Sequence, residues 1–272
     1  MSHSLVPSRL TAAELGTALA ALRARAPLVQ CLTNIVVANF TANVLLAAGA
    51  SPAMVDNPNE AEAFAGIAGA VLVNLGTPYP DTAQAMAAAV RGAEAAGRPW
   101  VLDPVAAGVL AWRTTLARDF LTQHHPTIVR GNASEILALT GGAGGKGVES
   151  TASAEQAVDA AAMLAASHAT VVAVSGKVDH LTDGHSLVRI DNGHVYSTRI
   201  TGSGCALGAL MAGFAAVVED PLYAAAAATA LLTLAAEAAA KHAHGPGSFA
   251  VALIDSVQTL TPEALAAKVR LV

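Results

Sequence analysis

The chain has 272 residues, with 15 Lys and Arg against 20 Asp and Glu, a formal net charge of −5, and a composition that is 54% hydrophobic but 13% charged. A net negative chain without a Lys/Arg cluster lacks the footprint that phosphate-backbone binding needs, and it has no basic amphipathic face for a membrane surface, so neither nucleic acid nor membrane is an expected partner. Charged residues are about half of the roughly 25% usual for soluble domains, which favours an oligomer that hides part of the surface.

The opening stretch MSHSLVPSRL has no basic start followed by an apolar core, so the expected location is the cytoplasm. Residues 1–10 are expected to be flexible. Beyond them, short β-branched runs alternate with Ala-rich stretches. Candidate strands are 28–32, 53–55, 70–75, 100–103, 127–130 and 170–175. Between them lie candidate helices at 36–48, 59–66, 81–96, 133–139 and 154–168, the last two opened by the capping residues Asn132 and Ser153. Strands apolar on both faces and separated by helices describe an α/β fold with a mostly parallel central sheet flanked by helices on both faces. Asp191-Asn192-Gly193, between the runs 186–190 and 194–200, predicts a terminal hairpin. From Cys205 onward the chain reads as helix, broken near Pro221 and Pro246. The apolar stretch 221–240 is mostly Ala and reads as a buried helix rather than a membrane span. With no linker or repeat, 1–272 is expected to form one domain.

Ligands bind at the carboxyl ends of parallel strands, and here these ends supply Thr33-Asn34, Asp56-Asn57, Asn74 to Thr77, Asp103-Pro104, Arg130 to Asn132 and Ser175 to Lys177. Each alone reads as a turn or cap; six together converge on one rim. The sharpest signal is Thr201-Gly202-Ser203-Gly204-Cys205, a glycine turn running into a helix. Its backbone N–H groups and the helix dipole can bind an anion without Lys or Arg. The turn fits neither the Walker A spacing nor a dinucleotide fingerprint. Cys205 opens the helix, where the dipole favours thiolate, whereas Cys31 reads as a small core residue. No metal-ligand spacing accompanies either cysteine, so zinc is not expected. Asn132 and Glu135 have capping-box spacing. With Asp103, Glu135 also makes a carboxylate pair of the kind that serves Mg²⁺ bound through water and phosphate. Arg130 adds a forked donor for a phosphoryl oxygen. These groups together suggest phosphoryl transfer to a small molecule.

At these residues the sequence resembles the hydroxyethylthiazole kinases, thiamine-salvage enzymes of the ribokinase-like superfamily. The likeness runs from about Leu28 to the C-terminus and is carried by Cys31 to Asn43, Gly49 to Met54, Asn74 to Thr77, Val101 to Val105, Arg130 to Glu135, Thr201 to Cys205 and Gly245 to Phe249. The resemblance implies a ribokinase-like fold and phosphorylation of the hydroxyl of 4-methyl-5-(2-hydroxyethyl)thiazole by ATP with Mg²⁺. It implies that Met54, Asn34, Gly76 and Thr77 line the thiazole pocket, with Gly202 at the substrate end of the anion hole. Arg130 and Ser175 would contact ATP, Asp103 and Glu135 would serve magnesium, and Gly202, Ser203, Gly204 and Cys205 would form the catalytic turn. It further implies a homotrimer with sites between subunits, in which the Ala-rich segments 36–48 and 221–240 are expected to pack. Two departures stand out: Ala106-Ala107-Gly108 replaces a more glycine-rich run, and Ser203 replaces a commoner Ala. Other readings are a ribokinase-like kinase for a hydroxymethylpyrimidine or a sugar, an ATP-dependent dehydratase of the same fold, and a cysteine-nucleophile hydrolase, for which no His partner is evident near a strand end.

Overall fold

A computed structural model of the chain describes residues 5–141 and 154–272. In chain order the strands are β1 (Val6–Pro7), β2 (Leu28–Leu32), β3 (Ser51–Ala53), β4 (Ala70–Asn74), β5 (Trp100–Asp103), β6 (Ile128–Asn132), β7 (Val171–Ser175), β8 (Asp179–Thr182) and β9 (Ser186–Ile190). The helices are α1 (Ala12–Arg25), α2 (Ala38–Ala48), α3 (Ala61–Ile67), α4 (Pro80–Ala95), α5 (Ala111–Gln123), α6 (Ala133–Leu139), α7 (Ala154–His168), α8 (Ser203–Ala215), α9 (Pro221–Ala240), α10 (Pro246–Thr259) and α11 (Pro262–Lys268).

The strands form a single sheet in the order β1-β9-β8-β7-β6-β5-β4-β2-β3. From β7 across to β3 every pairing is parallel, and β8 is antiparallel to both of its neighbours. Alternation along the strands explains why they read as continuous apolar runs. On β4, Ala70 and Leu72 enter one core with α1, α2, α8, α9 and α10. Val71 and Val73 enter a second core, on the other face, with α4, α5, α6 and α7. Small side chains set the spacing of these layers. Adding a Cβ at Gly92 of α4 would drive it into the backbone carbonyl of Glu62, so α3 and α4 approach closely there.

The α9 helix has the length and composition of a membrane span, but 78% of its apolar window is buried inside the protein. It packs on α8, α10 and the β8–β9 end of the sheet. The sequence reads this Ala-rich helix as buried, and most of its apolar surface is covered within one chain. Cys31 lies in the core beside it, and burial pushes its thiol up to about 12.

Three other expectations are corrected. The hairpin is β8–β9, closed at Asp183 to His185, rather than a pair centred on Asp191-Asn192-Gly193. Both edges of β9 are already taken, by β8 and β1, and the expected second strand is a 3₁₀ turn, Val195–Thr198. Residues 1–10 are not all free: the Val6 N–H donates to the His185 carbonyl at 2.9 Å and the Ser8 N–H to the Leu187 carbonyl at 3.0 Å. Pro7 lies between them on an edge strand, where its missing N–H costs no ladder bond. The first helix candidate is also preceded by an unanticipated α1, opened by a Thr11/Glu14 capping box, and α5 is a further unanticipated helix. The Asn132 cap is present, its side chain accepting from the Glu135 N–H. Ser153 lies outside the described residues.

Candidate active site

Parallel register brings the polar strand ends to one rim. Asn74 of β4 is level with Asp103 of β5, and Asn132 of β6 with Ser175 of β7. Asn34 follows β2, and α8 begins above the same rim. Asn74 and Asp103 are fully buried, and Asn34 is nearly so. A buried polar group needs partners, and these supply one another. Asn34 Nδ2 donates to Asn74 Oδ1 at 2.9 Å and to Cys205 Sγ at 3.3 Å. Asn74 Nδ2 donates to Asp103 Oδ2 at 2.6 Å, and Asn74 Oδ1 also accepts from the Gly76 N–H at 3.0 Å. Thr77 Oγ1 accepts from the Ile35 N–H at 3.1 Å, fixing the loop that carries Asn34.

Arg130 crosses this network. Its Nη2 donates to Ser175 Oγ at 2.9 Å, and its Nη1 lies 3.8 Å from Asp103 Oδ1. Burial pushes the Asp103 carboxyl up to about 7 despite the opposing pull of Arg130, with Glu135 adding to the rise. Glu135 is held by two backbone donors, Ala106 N–H on Oε1 at 3.0 Å and Asn132 N–H on Oε2 at 2.8 Å. Ala106 sits at φ +64°, in the left-handed region that favours glycine; the departure from a glycine-rich run thus carries local strain beside Glu135.

The glycine turn runs into a helix as its sequence suggests. Gly202 caps α8 with φ +98°, a backbone that L side chains rarely adopt, and Ser203 begins the helix. A Cβ at Gly204 would lie 2.5 Å from Arg130 Nη1. Glycine is therefore required there for the guanidinium to lie against the helix N-terminus. Gly204→Ala is expected to displace Arg130 and lower kcat/KM about tenfold, which steady-state kinetics at several ATP concentrations would register; unchanged kinetics would show that Arg130 moves aside without consequence.

Cys205 departs from expectation in one respect. Burial first, and then Asp103, push its thiol up, against the lowering by Asn74, Asn34 and Arg130. Desolvation of a charged sulfur thus works against the thiolate that a helix terminus favours.

Beside Arg130 opens a cavity of about 350 Å³, lined among others by Asn132, Ser175, Asp179, Asn192, Ser203 and Thr233. Asp179 had no sequence signal beyond following Gly176 by three residues. Its Oδ1 accepts from the Gly176 N–H at 2.9 Å, and burial pushes its carboxyl up to about 6. Among the described residues, three polar atoms here are buried without a hydrogen bond: Asp103 Oδ1, Arg130 Nε and Ser203 Oγ. Among the described residues no three His, Cys, Asp or Glu side chains gather as a metal cage. The pair Asp103 and Glu135, one with a free oxygen and the other with spare lone pairs, fits instead a cation held chiefly through water and phosphate oxygens. Two other expected groups take no part in this hydrogen-bond network. Asp56-Asn57 serves a turn, Asn57 Oδ1 accepting from the Asn59 N–H. Met54 is partly exposed, one residue beyond the edge strand β3.

Comparison with known proteins gives a consistent result. The profile of the hydroxyethylthiazole kinase family matches residues 19–263. A hydroxyethylthiazole kinase of Clavibacter sepedonicus is 59% identical over 251 residues, covering 92% of this chain and 91% of that protein. The solved hydroxyethylthiazole kinase of Pyrococcus horikoshii superposes with a TM-score of 0.87 at 38% identity, over 95% of this chain and 98% of that one. A ribokinase-like superfamily protein of Enterococcus faecalis shares the fold, with a TM-score of 0.62 at 12% identity over 94% and 92% of the two chains.

Proposed function

The chain belongs to the hydroxyethylthiazole kinase family, and from that premise we propose how its residues carry out phosphoryl transfer from ATP to the hydroxyl of 4-methyl-5-(2-hydroxyethyl)thiazole in thiamine salvage. The observation that carries the reading is the cluster of buried, unpartnered polar atoms on Asp103, Arg130 and Ser203 beside the Gly202–Cys205 turn. Such atoms cost free energy unless a ligand meets them, and their mixture of donors and one acceptor matches a phosphate chain with its counter-ion.

In this reading the nucleotide occupies the cavity at Arg130 and Ser175, and its terminal phosphate meets the N–H groups of Gly202, Ser203 and Gly204. Transfer between in-line oxygens requires little covalent chemistry of the protein, so positioning and charge stabilisation carry the rate. Arg130 and the turn hold the moving group. A magnesium ion bound with the nucleotide supplies neutralisation of the phosphate oxygens, and Asp103 and Glu135 are the residues that would hold it. Cys205, as a thiol kept in place by Asn34, accepts a hydrogen bond from the substrate hydroxyl and orients it, and the hydroxyl proton passes late in the transfer to an oxygen of the transferred phosphoryl group. The alcohol enters from the side of Asn34, Gly76 and Thr77. Gly76 has no room for a side chain, since a Cβ would lie 2.5 Å from Asn34 Nδ2.

Met54 belongs to the same pocket through a neighbouring subunit, and the assembly is a homotrimer. Support comes from the exposed apolar side chains Ile35, Val36 and Leu46 around α2 and from Met54 itself. Solvent exposure of such groups suits an interface that completes a pocket.

Incubating the protein with ATP, Mg²⁺ and each candidate alcohol separates the readings. The expected products are ADP and a thiazole phosphate ester, formed fastest with hydroxyethylthiazole. Faster ADP release with a hydroxymethylpyrimidine or a sugar would move the assignment within the superfamily, and ADP with free phosphate but no ester would indicate a dehydratase.

A further inference from the structure

Part of the wall of the nucleotide cavity is the loop Asn192 to His194, and its fixation comes from far along the chain. Asn192 is buried; its Oδ1 accepts from the Arg270 N–H at 2.8 Å, and its Nδ2 donates to Glu237 Oε1 at 3.1 Å. The Gly193 N–H donates to the same Glu237 oxygen at 3.0 Å. Arg270 grips Glu237 with both prongs, Nη2 to Oε1 at 2.7 Å and Nη1 to Oε2 at 3.4 Å. The C-terminal segment is itself anchored, Leu271 bridging Ile190 and the Val272 N–H donating to the Arg189 carbonyl. On α9, Glu237 lies one turn beyond Thr233, which lines the cavity, so the two residues share a helix face. The same loop and Arg270 also line a second, adjoining cavity of about 570 Å³. Burial opposes ionisation of Glu237, but the bonds from Arg270, Gly193 and Asn192 hold its carboxyl below the usual range.

We infer that Glu237 and Arg270 are positioning residues for the nucleotide: they clamp Asn192 and Gly193 into the cavity wall, so that ATP affinity depends on a C-terminal ion pair that never touches the reacting atoms. The inference rests on the nucleotide occupying the cavity at Arg130. Neither side chain is near the Gly202–Cys205 turn in the hydrogen-bond network, so the transfer step itself is insulated from the clamp. Glu237 holds the loop directly, and Arg270 in turn holds Glu237 in its bidentate geometry.

Calorimetric Kd values for ADP, with kcat and both KM values, are measured for Glu237→Ala, Glu237→Gln, Arg270→Ala and, as a reference, Arg130→Met. Glu237→Ala is expected to raise the ADP Kd and the ATP KM about tenfold, equivalent to about 1.4 kcal/mol. Glu237→Gln and Arg270→Ala, which leave an acceptor for Gly193, are expected to raise them a few-fold. In all three, kcat and the thiazole KM stay within twofold. A merely structural role would lower thermal stability or the active fraction and leave the ATP KM in place, and that result overturns the inference, as does a parallel rise in both KM values. If Arg130→Met weakens ADP while the Glu237 and Arg270 variants do not, the clamp falls and the nucleotide assignment stands. If none of the four weakens ADP, both fall.

Discussion

Arg130→Met is expected to lower kcat about 10³-fold at saturating ATP and thiazole, the scale set by arginines that stabilise a phosphoryl group in flight. The geometry explains the size. The guanidinium bonds Ser175, faces Asp103 at 3.8 Å and lies against the glycine at 204, where any side chain would collide with it. Met fills the space but offers no charge and no fork. It also removes the cation that opposes the rise of an Asp103 already pushed up to about 7 by burial, which shifts this carboxyl further toward its neutral form in the unliganded protein. Breaking a buried pair by deleting one partner ordinarily costs roughly 3–5 kcal/mol; protonation of Asp103 offsets part of that, so the variant is expected to fold with a reduced melting temperature. Arg130→Lys keeps the charge without the bidentate geometry and is expected to fall between Met and wild type. Rapid-quench measurement of the transfer step reads the effect directly. A Met variant within tenfold of wild type would remove Arg130 from the transfer step.

The rim was legible because parallel strands end where their apolar runs end. Asn34, Asn74, Asp103, Arg130 and Ser175 each close such a run, and register brings them together. The glycine turn was legible for the same kind of reason: Gly202 needs a left-handed backbone and Gly204 needs an absent side chain. Long-range pairing left no local mark. Nothing near Asp191-Asn192-Gly193 reveals that Glu237 and Arg270 occupy its hydrogen bonds, and so a strong hairpin signal gave way to a clamped loop and a 3₁₀ turn. The docking of Val6–Pro7 on β9 is equally non-local. At Cys205 position and environment pull in opposite directions: a helix N-terminus favours thiolate in water-accessible sites, whereas here burial and Asp103 push the thiol up. The Ala-rich α9 was legible as a buried helix, since its small side chains and near absence of charge suit a core packed on several helices.

Cys205 connects the two halves of the site. Its sulfur accepts from Asn34, whose other bond runs through Asn74 to Asp103, so the hydroxyl-bearing side and the carboxylate side share one buried chain of amides. In a loose transition state the alcohol proton departs late, so no strong base is needed: a neutral thiol suffices to orient the hydroxyl through a hydrogen bond, and the proton goes to an oxygen of the transferred phosphoryl group. Cys205→Ala removes that group and leaves the Asn34 amide without its second partner, while the turn's N–H donors remain. Its kcat is expected to fall about 10²-fold, the scale of a reacting group that loses its orienting contact, with ADP affinity unchanged. Cys205→Asp supplies a carboxylate at the same point and is expected to remain active. The decisive measurement is kcat for wild type, Cys205→Ala and Cys205→Asp across the pH range, with ATP, Mg²⁺ and hydroxyethylthiazole saturating: a loss in the Ala variant that the Asp variant escapes is the predicted result, and an Ala variant with wild-type kcat at every pH would contradict it.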